Sequence, residues 1–253
     1  MKKSSSLLIL ILVVGLGTVA TYSIVKEIRN AKESVPPAVD LSTFETQQKN
    51  GSSSMHATQQ TLPTELNLAM TFYPQAPFGD WGMPWQEACE EASILLVSDA
   101  YYHHNWTREQ FRDQILALVD WENKIFGDYK NTNAKQIAQM LHDDLGLKSV
   151  IHSNPTFEDV QKILAQGHLI VMPFAGRLIG NPFYTNGGPD YHVMVIKGYK
   201  TGQKVITEDV GTSHGEDYVY PWATLQNANH DYMVPIQNGA KVMIEVLPPS
   251  IGF

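Results

Sequence analysis

The chain carries one thiol, Cys89, within Trp85-Gln86-Glu87-Ala88-Cys89-Glu90-Glu91-Ala92-Ser93. A loop punctuated by proline and glycine ends there and an apolar run begins. A helix opening after Pro84 places the thiol in its first turn. Free backbone N–H groups and the positive end of the helix dipole favour thiolate at that position, and thiolate is the nucleophilic form. Glu87, Glu90 and Glu91 oppose this wherever they face the sulfur. A thiol nucleophile needs a base, and the base needs a group to orient it. Among nine histidines, His192 stands apart, at the start of an aliphatic run and directly after Asn186-Gly187-Gly188-Pro189-Asp190. If 191–199 and 204–207 pair as a hairpin through 198–202, Asp209 returns beside His192, provided the register does not slip by one residue. Gln75, in the loop ahead of Cys89, carries an amide that could join the Cys89 N–H in an oxyanion hole, a device that supplies about 3 kcal/mol. The candidate catalytic set is therefore Cys89, His192, Asp209 and Gln75. It calls for no cofactor and no metal.

These residues need elements to hold them. The spacing predicts helices over about 85–101, from Thr107 with Gln110 as a capping box, over 134–145 and over 156–166. The middle of the first, Ala92–Val97, is apolar on nearly every side, so this helix is expected in the core. Strands are expected at 149–152, 168–174, 191–199, 204–207, 217–220 and 242–246, with a short one possible at 68–73. Helices come first and strands later, without βαβ alternation. The fold class is α+β, a helical layer on an antiparallel sheet.

Composition bounds the rest. Of 253 residues, 43% are hydrophobic and 17% charged, which excludes a disordered chain, a collagen and a coiled-coil rod. Residues 1–32 carry a net +4, residues 33–65 a net −3 and residues 66–253 a net −9. An acidic body argues against nucleic-acid binding, which needs a basic surface. A lone cysteine permits no intrachain disulfide and no Cys-rich zinc site. Lys2 and Lys3 precede the apolar run Leu7–Leu16, which extends in softened form to Val25. This reads as an uncleaved membrane anchor or a cleaved signal peptide over about 1–30, with the body outside the cytoplasm. Residues 31–65 hold Pro36-Pro37, Gln47-Gln48 and Gly51-Ser52-Ser53-Ser54 and are expected to be a flexible linker. One domain, 66–253, remains.

The order Gln–Cys–His–Asp, with Tyr73-Pro74-Gln75-Ala76-Pro77 ahead of Cys89-Glu90-Glu91-Ala92-Ser93, and with Tyr191-His192-Val193-Met194-Val195-Ile196-Lys197-Gly198-Tyr199 before a strand ending at Asp209, resembles family 39 of the cysteine peptidases, in the papain superfamily. The resemblance covers about 70–250. It implies a papain-like fold and hydrolysis of a peptide bond in a peptide or protein substrate. Cys89 would be the nucleophile, His192 the base, Asp209 its orienter and Gln75 the oxyanion donor. Many members have Gly-Pro after the cysteine, where this chain has Glu90-Glu91. Two other readings stay open: a non-catalytic, surface-anchored binding module that keeps the fold, and a transglutaminase-like acyl transferase. A metal hydrolase built on His103, His104, His142, Asp143, Asp144, Asp190 and His192 lacks any His-Glu-x-x-His spacing. Phe72, Tyr73, Phe78, Trp81 and Trp85 are expected mainly to pack, with some lining a cleft opposite Phe183 and Tyr184.

Overall fold

A computed structural model describes residues 33–44 and 62–249. The sheet is antiparallel throughout, in the order β2-β7-β3-β4-β5-β6. Its strands are β1 (Leu66–Asn67), β2 (Lys148–Ser153), β3 (Leu169–Ala175), β4 (Tyr191–Lys200), β5 (Lys204–Glu208), β6 (Tyr218–Pro221) and β7 (Val242–Leu247). β1 pairs with the end of β4, Leu66 opposite Tyr199 and Asn67 opposite Gly198. The helices are α1 (Cys89–Tyr102), α2 (Arg108–Ile125), α3 (Ala134–Asp143), α4 (Phe157–Leu164) and α5 (Trp222–Ala228). The last has no counterpart in the sequence reading. The short strand expected at 68–73 is not formed there: β1 precedes it at Leu66–Asn67, and within 68–73 only Leu68 is bridged, to Val39.

Three helices start where their side chains satisfy otherwise unpaired N–H groups. Thr107 and Gln110 form a capping box on α2, Asn133 and Gln136 on α3, and Thr156 and Asp159 on α4. α1 differs. Its N-cap is Ala88, with no side-chain cap, and a separate 3₁₀ turn, Trp85–Glu87, precedes it. Hence the thiol sits in the first turn as expected, although the chain from Trp85 to Tyr102 is not one helix. Every residue from Cys89 to Tyr101 is buried. Burial on all sides, rather than an amphipathic stripe, fixes α1 in place. Tyr101 pins its far end, its hydroxyl donating to the Val246 carbonyl at 2.7 Å and accepting the Leu169 N–H at 2.7 Å.

All of β3 and positions Tyr191–Tyr199 of β4 are buried. Since successive strand residues point to opposite faces, both faces of the sheet are covered there, and α1 and α4 both pack on these strands. The sequence reading placed one helical layer on the sheet; the burial of alternate residues along β3 and β4 shows that both faces are covered. The expected linker is also partly structured. Val39 bridges Leu68, with the Val39 N–H on the Asn67 carbonyl and the Ala69 N–H on the Val39 carbonyl, both 2.8 Å, and Leu41 is buried. A few apolar side chains suffice once a strand edge accepts the backbone. The expected export segment, 1–30, lies outside the described residues. Among the described residues, no helix is long and apolar enough to cross a membrane.

Candidate active site

α1 meets β4 where the Ser93 hydroxyl donates to the Val193 carbonyl at 3.2 Å. One helical turn back along that face stands Cys89, so the thiol comes to the end of β4 that begins with Tyr191 and His192. Cys89, His192 and Gln75 line one cleft of about 1180 Å³. Trp81, Phe183 and Tyr184 line it as well, whereas Phe72, Tyr73 and Trp85 pack against the core. Phe78, also expected mainly to pack, is instead exposed and lines neither the core nor the cleft.

His192 is buried, and its Nε2 lies 2.9 Å from Asp209 Oδ1. With Nε2–H donating to the carboxylate, Nδ1 carries the lone pair. The pairing depends on a bulge. Near the hairpin turn Lys200 faces Lys204, Tyr199 faces Val205 and Gly198 faces Ile206; beyond it Ile196 faces Thr207 and Val195 faces Glu208. Lys197 is the extra residue between these two registers. Continued past Glu208, the outer register sets Asp209 opposite Met194, on the same face as His192 and diagonally adjacent to it. Without the bulge, Asp209 would fall opposite Val195 and point to the other face. The equal-distance hairpin expected from the sequence is therefore not the observed register; the difference is even, so the contact survives.

Asp209 is fully buried and saturated with donors. Besides His192 it accepts from Tyr184 Oη at 2.8 Å, Tyr220 Oη at 2.6 Å, Asn181 Nδ2 at 2.9 Å and the Gly211 N–H at 3.1 Å. Burial by itself would raise its carboxyl; the charge and hydrogen bond of His192, with the two tyrosine hydroxyls, outweigh that and hold it below the ordinary range. Gly211 lies against the imidazole, and a Cβ there would sit 2.8 Å from His192 Cε1. The sequence reading missed Asn181, Tyr220 and Gly211 and took Tyr184 as cleft wall only. No local pattern marks them, since they converge from separate loops and from β6.

The two remaining candidates are differently disposed. Gln75 is buried, with Nε2 donating to the Trp85 carbonyl at 2.8 Å and to the Gln86 carbonyl at 3.2 Å, and Oε1 has no partner. Its amide protons are directed at the 3₁₀ turn. The Cys89 thiol donates to Glu90 Oε2 at 2.9 Å. Burial, and then the Glu90 carboxylate, push the thiol well above its ordinary range, with the Val193 backbone a smaller opposing influence. The lowering expected from the helix terminus is overridden, because desolvation disfavours the charged form and the nearest charge is negative. Glu90 Oε1 in turn accepts the Thr132 N–H at 2.9 Å. Glu91 faces Glu122 of α2, and both carboxyls are raised, first by burial, Glu122 to about 8.

Among the described residues, no three His, Cys, Asp or Glu side chains gather as a metal site. His104 stacks on Trp106, His142 pairs with Asp143 at the surface, and Asp190 pairs with Arg177.

A buried carboxylate on an imidazole, in one cleft with a thiol, is the set of groups that cysteine hydrolases use as a class. The family model described as the Peptidase_C39 like family matches residues 67–235, and the chain belongs to that family. Among solved structures, the chain is similar to a crystal structure from Bacillus anthracis described as a C39-like peptidase. The likeness covers 74% of this chain and 100% of that one, with 16% identity and a TM-score of 0.48. No curated protein is significantly similar in sequence.

Proposed function

We propose that this protein is a papain-like cysteine peptidase that hydrolyses an amide bond in a peptide or protein substrate through Cys89, His192 and Asp209. The observation that carries this reading is the Nε2 contact of His192 with a donor-saturated Asp209. A buried carboxylate with five donors stays ionised, fixes the imidazole tautomer and turns Nδ1 into the available base. His192 accepts the Cys89 proton and the thiolate attacks the substrate carbonyl. The resulting oxyanion rests on the Cys89 N–H, which has no carbonyl partner at the start of a helix, and on Gln75 once its amide turns from the 3₁₀ turn. His192 then protonates the leaving amine and activates water for deacylation. The family membership and the shared cleft support this reading over a non-catalytic module.

The test is hydrolysis of a peptide library by the wild-type protein and by Cys89→Ala. The expected result is cleavage by the first alone, with both equally folded by circular dichroism. Undiminished cleavage of the same bond by Cys89→Ala would overturn the assignment, and amine incorporation in place of hydrolysis would move it to acyl transfer. Export through the basic start and the apolar run Leu7–Val25 belongs to the same reading. It is checked by membrane fractionation and protease accessibility of the full chain against one lacking 1–30.

A further inference from the structure

In the structure the Cys89 thiol is engaged by a carboxylate and not by the imidazole. Glu90 Oε2 accepts the S–H, and Glu90 Oε1 is tied to the Thr132 N–H. The carboxyl is 1% exposed and forms no ion pair among the described residues. Because the backbone anchors one oxygen, the other cannot swing away from the sulfur without breaking a buried hydrogen bond. We propose that Glu90 is a proton-controlled latch on the nucleophile: as a carboxylate it keeps Cys89 a thiol, and as a carboxylic acid it releases the sulfur to His192. The inference deepens the peptidase reading and rests on it.

The chemistry balances with one proton from solvent. Glu90 takes that proton on Oε2, and the S–H···O contact is lost. The S–H bond then breaks, an N–H bond forms at His192 Nδ1, and the thiolate forms beside a neutral carboxyl that can donate to it. Acidic side chains surround Glu90, and the hydrogen bonds it accepts oppose them. Glu87 lies in the preceding turn and favours uptake of a proton; Glu91 follows on α1 and Glu122 stands on α2, both with raised carboxyls of their own; the Tyr191 hydroxyl, from β4, donates to the Thr132 carbonyl and brings no charge. Burial raises Glu90 to about 7, with the Cys89 and Thr132 hydrogen bonds acting against it. The latch therefore opens as pH falls through neutrality, and the enzyme is favoured on the acid side.

Alkylation by iodoacetamide reads this directly, because Cys89 is the one cysteine of the chain. Full-length wild type, Glu90→Gln, His192→Ala and the double variant are compared across pH. In Glu90→Gln the reactive ionisation is expected at least one pH unit below wild type, which is a gain of about ten-fold or more in rate at pH near 7. A Glu90→Gln profile that coincides with wild type or lies above it overturns the latch. If the Cys–His pairing is wrong but the latch is right, His192→Ala changes neither background while Glu90→Gln still shifts the profile. If the latch is wrong and the pairing right, the reverse holds. A second measurement needs no change at Glu90. Carboxyl carbon NMR should show the Glu90 titration moving to higher pH in Cys89→Ala, where the S–H donor is gone; an unmoved midpoint overturns the proposal.

Discussion

Asp209 stands two residues out of step from His192 across the β4–β5 pair, and that offset is even because Lys197 is an extra residue in β4. The bulge also turns Lys197 inward, where its ammonium meets Glu208 at 2.5 Å and Asp217 at 2.6 Å. One residue thus sets the face on which the site is assembled and locks the irregularity with buried charge. Burial would lower the ammonium, and the two carboxylates carry it back above its ordinary value.

Lys197→Met should consequently lose both stability and the site. It leaves Glu208 and Asp217 facing each other without a cation, and removing one partner of a buried pair costs about 3–5 kcal/mol. Denaturant unfolding measures that cost. Restoration by Glu208→Gln in the Lys197→Met background would show that the stranded charge, rather than lost packing, is the cause.

Asp209→Asn should keep the fold and slow turnover by about 10²- to 10⁴-fold, the range of a mispositioned general base. Tyr184 and Tyr220 would then donate to a neutral amide. Since the carboxyl lies below its ordinary range in the folded protein, it stabilises the fold at pH above that range and the contribution disappears as pH falls through the folded value. The wild-type protein should therefore lose stability in acid more steeply than Asp209→Asn, as thermal unfolding against pH would register.

Gly211→Ala should displace the His192 ring, since a Cβ would come 2.8 Å from its Cε1. Gly211 is in the loop after β5 and pairs its N–H with Asp209, so the backbone can yield slightly and the fold should survive. The expected outcome is a drop in kcat with little change in KM, measured by steady-state kinetics.

Glu91 and Glu122 form a buried pair between α1 and α2, and both hold protons more tightly when folded than when unfolded. Their contribution is complete below the ordinary carboxyl range and declines as pH rises through about 8. The slope is up to about 1.4 kcal/mol per pH unit for each proton released. Thermal unfolding between pH about 6 and 9 should show the wild type falling and Glu122→Gln falling less. Equal slopes would mean that the pair is ionised or hydrated.

Much of the site could be read directly from residue type and position. A cysteine after a proline- and glycine-rich loop, a histidine opening an aliphatic strand and an acid closing the next strand each sit at the end of an element. Hydrophobic periodicity and capping residues locate such ends, because both act over one or two turns of chain. The capping boxes at Thr107 and Thr156 and the strands at β3, β4 and β7 follow from the same short-range physics.

What the chain could not reveal by itself was set by packing between distant segments. The bulge at Lys197, the convergence of Asn181, Tyr184 and Tyr220 on Asp209, and the docking of Val39 on Leu68 each join residues that no local pattern connects. The same holds for the direction of the Cys89 ionisation. Sequence identified Glu90 and Glu91 as neighbours that could oppose the thiolate, but their effect depends on facing and burial. Helix geometry and the Thr132 N–H turn one carboxyl onto the sulfur, and α2 draws the other away to Glu122. Charge at close range in a dry interior outweighs a helix terminus, and only the folded arrangement decides which carboxyl is at close range.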